Sequence, residues 1–448
     1  MKQRPASTVP GIAWPAIVSN RAAHHLALMV QLESSQWWTA EALRQQQFRQ
    51  LTQLLRHAFA TTDFYRQRLG RRGFTPQTTV TPDFFQTIPL LQREEIQNHL
   101  AALTSRSVPE DHGDTGVIRS SGSTGRPLKI NTTSVCHHFW QAFGLRDHLW
   151  HQRDFSRKHA ALRIGAKGKS VPYWSSDVKA IFSSGPNLLL DLRKDVDAQI
   201  DWMRQNDPAY LLTYPSVLRE MARRCQERQI KFPGLQELRT FGETLPPEIR
   251  AICRQAWGVE IKDMYSSMEI GYMALQCPDH DHYHVMSEGV LIEILDEEGR
   301  PCPPGRIGRV VVTDLHNFAT PIIRYEILDY AETGDPCPCG RGLPVLKRIM
   351  GRQRNMMTMP DGSRRWPSFG MRQWPCALKI MQIQIIQKEI DRLLIRLVVK
   401  APLEAGEETA IAGIVRERAA YPLQIDFEYP DAIDKPANLK FEMFFSEV

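Results

Sequence analysis

A glycine-rich stretch at residues 120–129, with the sequence SSGSTGRPLK, constrains this chain more than any other segment. Glycine allows positive φ angles and close backbone approach, so several N–H groups can turn inward around an anion. The hydroxyl side chains add hydrogen-bond donors, and Arg126 or Lys129 can neutralise phosphate charge. The residue order does not fit the Gly-x-x-x-x-Gly-Lys-Ser/Thr pattern of a Walker loop. The stretch therefore predicts a phosphate-binding loop of another kind, with a flexible polar linker as the alternative.

Length and composition indicate a globular protein of two or three domains. The chain has 448 residues, 42% hydrophobic and 24% charged, and this length exceeds what one core usually supports. The net charge of +6 is mild, and no Lys/Arg tract is concentrated enough to indicate nucleic-acid binding. No apolar run approaches the length of a membrane span and no signal-like segment follows Met1, so we expect a cytoplasmic protein. The eight cysteines do not form a secreted disulfide pattern.

The periodicity of apolar residues changes twice along the chain. Amphipathic helices are predicted near residues 41–60 and 134–150, the second soon after the glycine-rich stretch, where its N-terminal dipole would favour phosphate. Strand and helix patterns alternate over residues 160–258, which is typical of an α/β domain with a largely parallel sheet. Turn-separated strands at 290–295 and 309–313 predict an antiparallel β subdomain.

A second, smaller domain is predicted at the C-terminal end. Its pattern combines three strands with one helix, at residues 380–386, 393–399, 423–429 and 407–419. This is an α+β arrangement of about the size of a small domain. We therefore expect an α/β protein with a large N-terminal domain over residues 1–351 and a small, mobile α+β domain over residues 352–448.

Two short polar motifs follow apparent strands of the α/β region. The first is TFGETLP at residues 240–246, and the second is YSSME at residues 265–269. Open α/β sheets bind ligands at the carboxyl ends of their strands, so both motifs are candidates for a ligand site. Glu269 is a chemically suitable Mg²⁺ ligand, because Mg²⁺ takes few protein oxygens and completes its shell with phosphates and water. Alone, Tyr265 and Glu269 would be read as a core tyrosine and a surface glutamate.

A further motif begins with TDL at residues 313–315, continues with TPIIRY at residues 320–325, and ends at Asp329. It is followed by Gly351-Arg352, and the chain ends with PANLKF at residues 436–441. A carboxylate such as Asp329 can accept two hydrogen bonds from neighbouring hydroxyls, and a terminal lysine can stabilise negative charge.

In this order the motifs resemble those of the adenylate-forming (acyl-CoA synthetase) superfamily, in particular its phenylacetate–CoA ligase branch. The resemblance implies two half-reactions: a carboxylic acid, expected to be aromatic, attacks ATP to give an acyl-adenylate, and coenzyme A then displaces AMP. It implies a lid movement of the small domain between the two steps. It also implies catalytic roles for Thr124, Glu269 and Lys440, with Glu269 holding Mg²⁺. The implied nucleotide-binding residues are Ser120, Ser121, Gly122, Ser123, Thr124, Gly125, Lys129, Gly242, Glu243, Thr244, Tyr265, Ser266, Ser267, Asp329 and Arg352.

The sequence departs from the family pattern at several positions. Met268 replaces a threonine that bonds the α-phosphate, and methionine cannot donate that bond. Ser266, Leu328 and Leu439 each stand where the family has glycine, and Arg354 replaces the hinge carboxylate. These departures keep two alternatives open. One is an adenylate-forming enzyme with a different acceptor, such as an amine, a carrier protein or a nitrogen oxyanion. The other is a nucleotide-binding protein without turnover.

Cysteine and histidine residues form a possible metal-binding set. Cys277 is followed by His284 after six residues, and Cys337 and Cys339 flank a proline in CPCGR. Three thiolates and one imidazole are a common structural zinc shell. The pattern also resembles the zinc knuckle of phenylacetate–CoA ligase-type proteins. His280 and His282 are alternative ligands. The expected cofactors are therefore ATP, Mg²⁺ and structural Zn²⁺, the expected partners are the acid, ATP and coenzyme A, and a homodimer is left open.

Overall fold

A computed structural model describes residues 5–12, 14–119, 127–166, 168–367, 369–377, 379–433 and 441–448. The predicted phosphate-binding residues 120–125 and the predicted catalytic Lys440 lie outside these described residues. The helices are α1 (Asn20–Ser35), α2 (Ala40–Thr61), α3 (Asp63–Gly70), α4 (Pro82–Gln86), α5 (Arg93–Leu103), α6 (Ser134–Trp150), α7 (Ser176–Ile181), α8 (Val196–Asn206), α9 (Pro215–Glu227), α10 (Pro247–Trp257) and α11 (Glu407–Ala419).

The strands up to residue 314 are β1 (Thr115–Arg119), β2 (Lys129–Thr133), β3 (His159–Arg163), β4 (Ser170–Val171), β5 (Asn187–Asp191), β6 (Tyr210–Thr213), β7 (Glu237–Phe241), β8 (Glu260–Ser267), β9 (Gly271–Gln276), β10 (Tyr283–Val285), β11 (Val290–Leu295) and β12 (Ile307–Asp314). The later strands are β13 (Tyr325–Thr333), β14 (Val345–Arg352), β15 (Met357–Thr358), β16 (Arg364–Arg365), β17 (Ile380–Glu389), β18 (Arg392–Val399), β19 (Gln424–Glu428) and β20 (Phe444–Ser446).

The helical N-terminal region packs against the sheet through an amphipathic α2. Its buried leucines recur at helical spacing, and the Thr39 hydroxyl caps its first turn by accepting from the backbone of Ala42. A buried ion pair fixes this region to the sheet, because Arg324 bonds Glu293 at 3.0 Å and also donates to the carbonyl of Ile88. The motif residue Arg324 therefore has a structural role, because it connects the N-terminal region to the sheet.

One continuous twelve-stranded sheet carries most of the described chain, in the order β11-β12-β13-β14-β10-β9-β8-β7-β6-β3-β5-β4. Strands β5, β3, β6, β7 and β8 run parallel, whereas β9 to β14 pair antiparallel. The predicted α/β class is confirmed. The predicted antiparallel strands are present, and β9 and β10 join them to the parallel strands in the same sheet.

The C-terminal region has its own sheet, in the order β19-β18-β17-β20. The helix α11 covers it, and both contribute to a hydrophobic cluster separate from the others that includes Leu393, Ile395, Ile411 and Val415. The predicted helix at 407–419 matches α11. The division into residues 1–351 and 352–448 stays a prediction.

A hairpin precedes α6. Strands β1 and β2 pair antiparallel, and their last described pair joins Arg119 to Lys129. The glycine-rich stretch therefore connects the two arms of a hairpin. The helix α6 does not follow that stretch directly, because β2 intervenes, so its N-terminus begins at Ser134. Within the described residues, no helix combines the length and apolarity of a membrane span.

Candidate active site

Three motifs that are far apart in sequence meet near the ends of β8 and β14 and at the middle of β13. The Tyr265 hydroxyl donates to Asp329 Oδ2 at 2.9 Å, and Arg352 Nε lies 3.5 Å from Asp329 Oδ1. Burial, and next the Asp329 carboxylate, hold the pKa of Tyr265 well above its usual value, so the phenol stays protonated. The arrangement joins an acceptor carboxylate, an aromatic ring and a cation, which suits a sugar and base with nearby phosphate.

Glu269 lies in the same region beside a buried arginine. Its Oε1 is 4.0 Å from Arg93 Nη1, and both side chains are only about a tenth exposed. Glu269 also adds to the field that raises the pKa of the buried Tyr325 phenol, although burial is the largest cause. The carboxylate thus sits close to the Tyr265–Asp329 pair, in a position from which a metal-bound phosphate could be reached.

The TFGETLP motif at residues 240–246 contacts the segment that leads into the C-terminal region. Gly242 has a φ of 75° and Gly351 a φ of 100°. A Cβ atom at Gly351 would lie 3.0 Å from Thr244 Oγ1. Glycine is required at position 351 on both grounds, because the backbone is left-handed and the neighbouring hydroxyl leaves little space. The predicted nucleotide-binding Thr244 therefore lies beside Gly351, the residue that precedes Arg352.

Glu243 lies between the large and the C-terminal regions. Its carboxylate accepts hydrogen bonds from the Ser216 backbone at 2.9 Å, from the Ser216 hydroxyl at 3.0 Å and from the Phe441 backbone at 3.0 Å. Burial raises the pKa of Glu243, and the hydrogen bonds from Ser216 and Phe441 offset only part of this increase. Nearby, Arg219 stacks over the Phe441 ring and Arg223 donates to the Ile380 carbonyl at 2.8 Å. The predicted adenine-binding segment thus also forms part of the contact between the two regions.

A cavity of about 340 Å³ opens beside Glu269. Its wall combines the β1–β2 hairpin, the first turns of α6 and the segment around Met268, which is half exposed. Its size lies at the small end of the range for ligand pockets, about 300–1,000 Å³. The aromatic Trp140 lines this cavity, whereas Tyr214 packs on Phe241 at a centroid distance of 4.8 Å.

Leu328 adopts the conformation of the glycine that it replaces. Its φ is 68°, in the left-handed region. A branched side chain in this region costs about 1–2 kcal/mol. A glycine at this position would adopt the left-handed φ without strain. This chain keeps the same backbone conformation with leucine, in spite of the strain. Asp329, the next residue, keeps its place beside Tyr265.

The cysteine–histidine set converges. The ligand atoms of Cys277, His284, Cys337 and Cys339 all lie within 4.8 Å of one another. His284 Nε2 is 3.4 Å from Cys339 Sγ, and burial lowers the His284 pKa to about 4, which keeps the imidazole neutral. Three thiols and a neutral imidazole in this compact group fit a tetrahedral zinc shell. The alternative ligand His282 also approaches, with Nε2 at 3.0 Å from Cys337 Sγ.

The remaining predicted residues occupy the edges of the site. Ser266 and Ser267 end β8, and the Ser267 hydroxyl accepts from the Ile270 backbone at 3.2 Å. Lys129 begins β2 and is exposed. Sequence reasoning missed Arg93 and Ser216, which contact Glu269 and Glu243. Arg93 is the first residue of α5 and Ser216 is the second residue of α9. Neither belongs to a motif, so no local signal marks them.

Comparisons with known proteins find similarity in sequence and in fold. Residues 373–447 match the family described as CapK C-terminal domain. The chain is 24% identical over 348 residues to a phenylacetate–coenzyme A ligase of Pseudomonas putida, covering 75% of this chain and 76% of that protein. A phenylacetate–coenzyme A ligase of Thermus thermophilus is 24% identical and covers 71% and 72%. A 2-hydroxyisobutyryl-CoA ligase structure in the postadenylation state matches with a TM-score of 0.71 and 18% identity, covering 90% and 89%.

The chain has the fold of the adenylate-forming ligases, and in sequence it is similar to members of that class. Within that class it is phenylacetate–CoA ligase-like, as the sequence comparison over three-quarters of its length indicates. The resemblance predicted from the motifs is therefore confirmed.

Proposed function

We propose that this protein uses ATP to activate a carboxylic acid as an acyl-adenylate and transfers the acyl group to coenzyme A. The observation that carries the proposal is the shared carboxylate of Asp329, which Tyr265 and Arg352 approach from two other motifs. Ligases of this kind are the relatives of the chain in sequence and in fold. The enzyme class and the two half-reactions follow from this combined support.

The proposed roles follow the positions of the residues. Asp329 accepts hydrogen bonds from the ribose hydroxyls, and the buried Tyr265 ring packs against the base. Arg352 faces the nucleotide from β14. Glu269 holds Mg²⁺, which when bound would neutralise phosphate charge as it develops. The remaining nucleotide contacts are assigned to Gly242, Glu243, Thr244, Ser266, Ser267 and Lys129.

Two further assignments concern residues outside the described chain. We propose that Ser120, Ser121, Gly122, Ser123, Thr124 and Gly125 surround the ATP phosphates, between the two arms of the β1–β2 hairpin. We also propose that Lys440 serves adenylation alone. A Lys440→Ala variant should then lose pyrophosphate exchange and keep thiolysis of a supplied acyl-adenylate. Equal loss of both half-reactions would contradict this role.

Structural zinc is proposed at Cys277, His284, Cys337 and Cys339. The CPCGR loop that carries two of these residues is seated on the turn after α1, because Arg341 donates to Gln36 Oε1 at 2.9 Å and stacks over Trp37. A bound metal would join this loop to β9 and β10. The site therefore stabilises the fold and does not take part in the reaction. We further propose an aromatic acid as substrate, a cytoplasmic location and a homodimer.

The test is formation of an acyl-CoA thioester from ATP, coenzyme A and a panel of carboxylic acids, detected by mass spectrometry. We expect thioester with the wild-type chain and a loss of about a hundredfold or more in the Asp329→Asn and Glu269→Gln variants. Glu297→Gln, on an exposed turn, is the matched control and should keep wild-type activity. Adenylate without thioester would point to another acceptor, and neither product would point to nucleotide binding without turnover.

A further inference from the structure

The TDL motif contains a buried carboxylate for which the proposed reaction has no use. Asp314 is 7% exposed, and its Oδ1 accepts from the His316 backbone at 3.0 Å. Among the residues that the structure describes, no lysine or arginine lies within ion-pair distance of it. A buried carboxylate without a positively charged partner costs desolvation free energy. This cost suggests that a bound group neutralises Asp314 or donates hydrogen bonds to it.

A small slot opens behind the main cavity at this carboxylate. Its volume is about 20 Å³, and a cavity of about 10–15 Å³ already holds one water-sized group. Asp314, Cys136 and Trp140 line both spaces, so the slot is a continuation of the cavity that contains Glu269. The slot thus has room for one small substituent of a molecule bound in the main cavity.

The slot offers two acceptors among aromatic walls. Besides Asp314, His316 lines it, and His316 Nδ1 is buried with no hydrogen-bond partner in the described chain. Burial lowers the pKa of His316 to about 3, so the ring is neutral and Nδ1 can accept when the proton sits on Nε2. Its ring packs on Phe139 at a centroid distance of 3.8 Å, which fixes its orientation.

Size and chemistry together define the group that fits. It must be about as large as a water molecule, and it must donate at least two hydrogen bonds to satisfy Asp314 and His316. A primary amino group meets both conditions, whereas a hydroxyl donates once and a methyl group not at all. A protonated amine would also compensate the Asp314 charge.

We propose that the acid substrate carries a primary amino group, which occupies the slot and donates to the Asp314 carboxylate and to His316 Nδ1. This inference rests on the proposed acid-activating function, because it takes the cavity beside Glu269 as the acid site. Asp314 and His316 are then specificity-determining residues, and the carboxylate that reacts points in the opposite direction, towards Glu269.

The test uses pairs of acids that differ only in an amino or a methyl group. The probes are 2-, 3- and 4-aminobenzoate with the corresponding methylbenzoates, and 4-aminobutanoate with pentanoate, in ATP–pyrophosphate exchange. For at least one pair, kcat/KM for the amino-substituted acid should exceed kcat/KM for its methyl counterpart by about tenfold or more. The ratio should fall to about one in Asp314→Asn, which keeps the shape and the backbone contact.

The matched control is Asp263→Asn. Asp263 is also buried, but it is bonded to the Thr240 and Tyr283 hydroxyls and lies outside the cavity. Its amino-to-methyl ratio should equal that of the wild type, even if the overall rate falls. A wild-type preference for the methyl acids, or an unchanged ratio in Asp314→Asn, would overturn the proposal while leaving acid activation intact.

Binding without ATP separates this proposal from the proposed function. If no acid supports exchange, thermal shifts with the same acid pairs still report on the slot. Stabilisation by an aminobenzoate or by 4-aminobutanoate that exceeds the methyl counterpart, and that Asp314→Asn removes, would support the slot and refute the ligase. The absence of both exchange and selective stabilisation would overturn the slot as well.

Discussion

Glu243 Oε1 accepts a hydrogen bond from the backbone nitrogen of Phe441 at 3.0 Å, so a motif in the large region holds the C-terminal tail directly. Phe441 follows Lys440 in the sequence. The donor is a backbone N–H, and the acceptor is a partly buried carboxylate that also bonds Ser216. Such charge-assisted bonds are the strong ones, worth about 1.5–3 kcal/mol. The contact therefore links the TFGETLP motif to the residue beside the predicted adenylation lysine.

Removal of the Phe441 N–H should weaken adenylation. Phe441→Pro lacks the donor, whereas Phe441→Ala keeps it and loses only the ring that packs under Arg219. We expect the rate of pyrophosphate exchange to fall about tenfold or more in Phe441→Pro. The loss in Phe441→Ala should be several-fold smaller than the loss in Phe441→Pro. Equal loss in the two variants would show that the ring matters and the hydrogen bond does not.

Asp314 should make the stability of the protein depend on pH. Burial raises the pKa of Asp314 to about 7, from the usual 3.8. Burial also lowers the pKa of the neighbouring His316 to about 3, which keeps it neutral. It raises the pKa of the Cys136 thiol to about 12, which keeps it protonated. With no amine bound, the folded protein thus holds a proton on Asp314 that the unfolded chain has lost. The stability from Asp314 therefore falls as pH rises from about 4 to 7.

The measurement is the Tm of wild type and Asp314→Asn across this range. Asparagine cannot ionise, so the Tm of the variant relative to the wild type should rise between pH 5 and pH 8, by the equivalent of a few kcal/mol. A Tm difference that does not change with pH would mean that Asp314 is ionised in the folded state at pH 5.

Loss of the cysteine–histidine set should remove bound zinc and destabilise the fold. We expect metal analysis of Cys337→Ser/Cys339→Ser to show no zinc, together with a Tm decrease of several degrees, because a structural metal contributes directly to folding. Cys302→Ser is the control, since Cys302 lies outside the cluster. Zinc bound at the wild-type level in the double variant would mean that other residues hold it.

Leu328 should tolerate glycine better than alanine. Both substitutions remove the leucine side chain, but only glycine adopts a φ of 68° without steric cost. Leu328→Gly should therefore be more stable than Leu328→Ala by about 1 kcal/mol in urea unfolding. A more stable alanine variant would indicate that the backbone relaxes away from the left-handed region.

The sequence predicted what depends on local patterns. The helix at 407–419 and the strand at 290–295 are bounded by local sequence patterns, and both appear with those bounds. The cysteine–histidine cluster was found because its spacing is specific. Ordered motifs also led to the Tyr265–Asp329 region, since they resemble a known family.

Local patterns do not predict which strands pair or which side chains meet when they are far apart in the sequence. The single twelve-stranded sheet depends on β9 and β10, short strands whose sequence does not show that they bridge two halves. The use of Glu243 as a link to Phe441 depends on a contact across 198 positions. Arg93 is similar, because its relation to Glu269 arises only from packing of α5 against the sheet.

The most direct test of the central claim is acid-dependent ATP–pyrophosphate exchange by the wild-type chain and by Asp329→Asn. Exchange requires the phosphate loop, the nucleotide contacts and the acid cavity to work together, and it does not depend on the acceptor. We predict exchange with at least one acid and its loss in the variant. An Asp329→Asn variant as active as the wild type, or no exchange by a wild-type chain shown to bind ATP, would contradict the account.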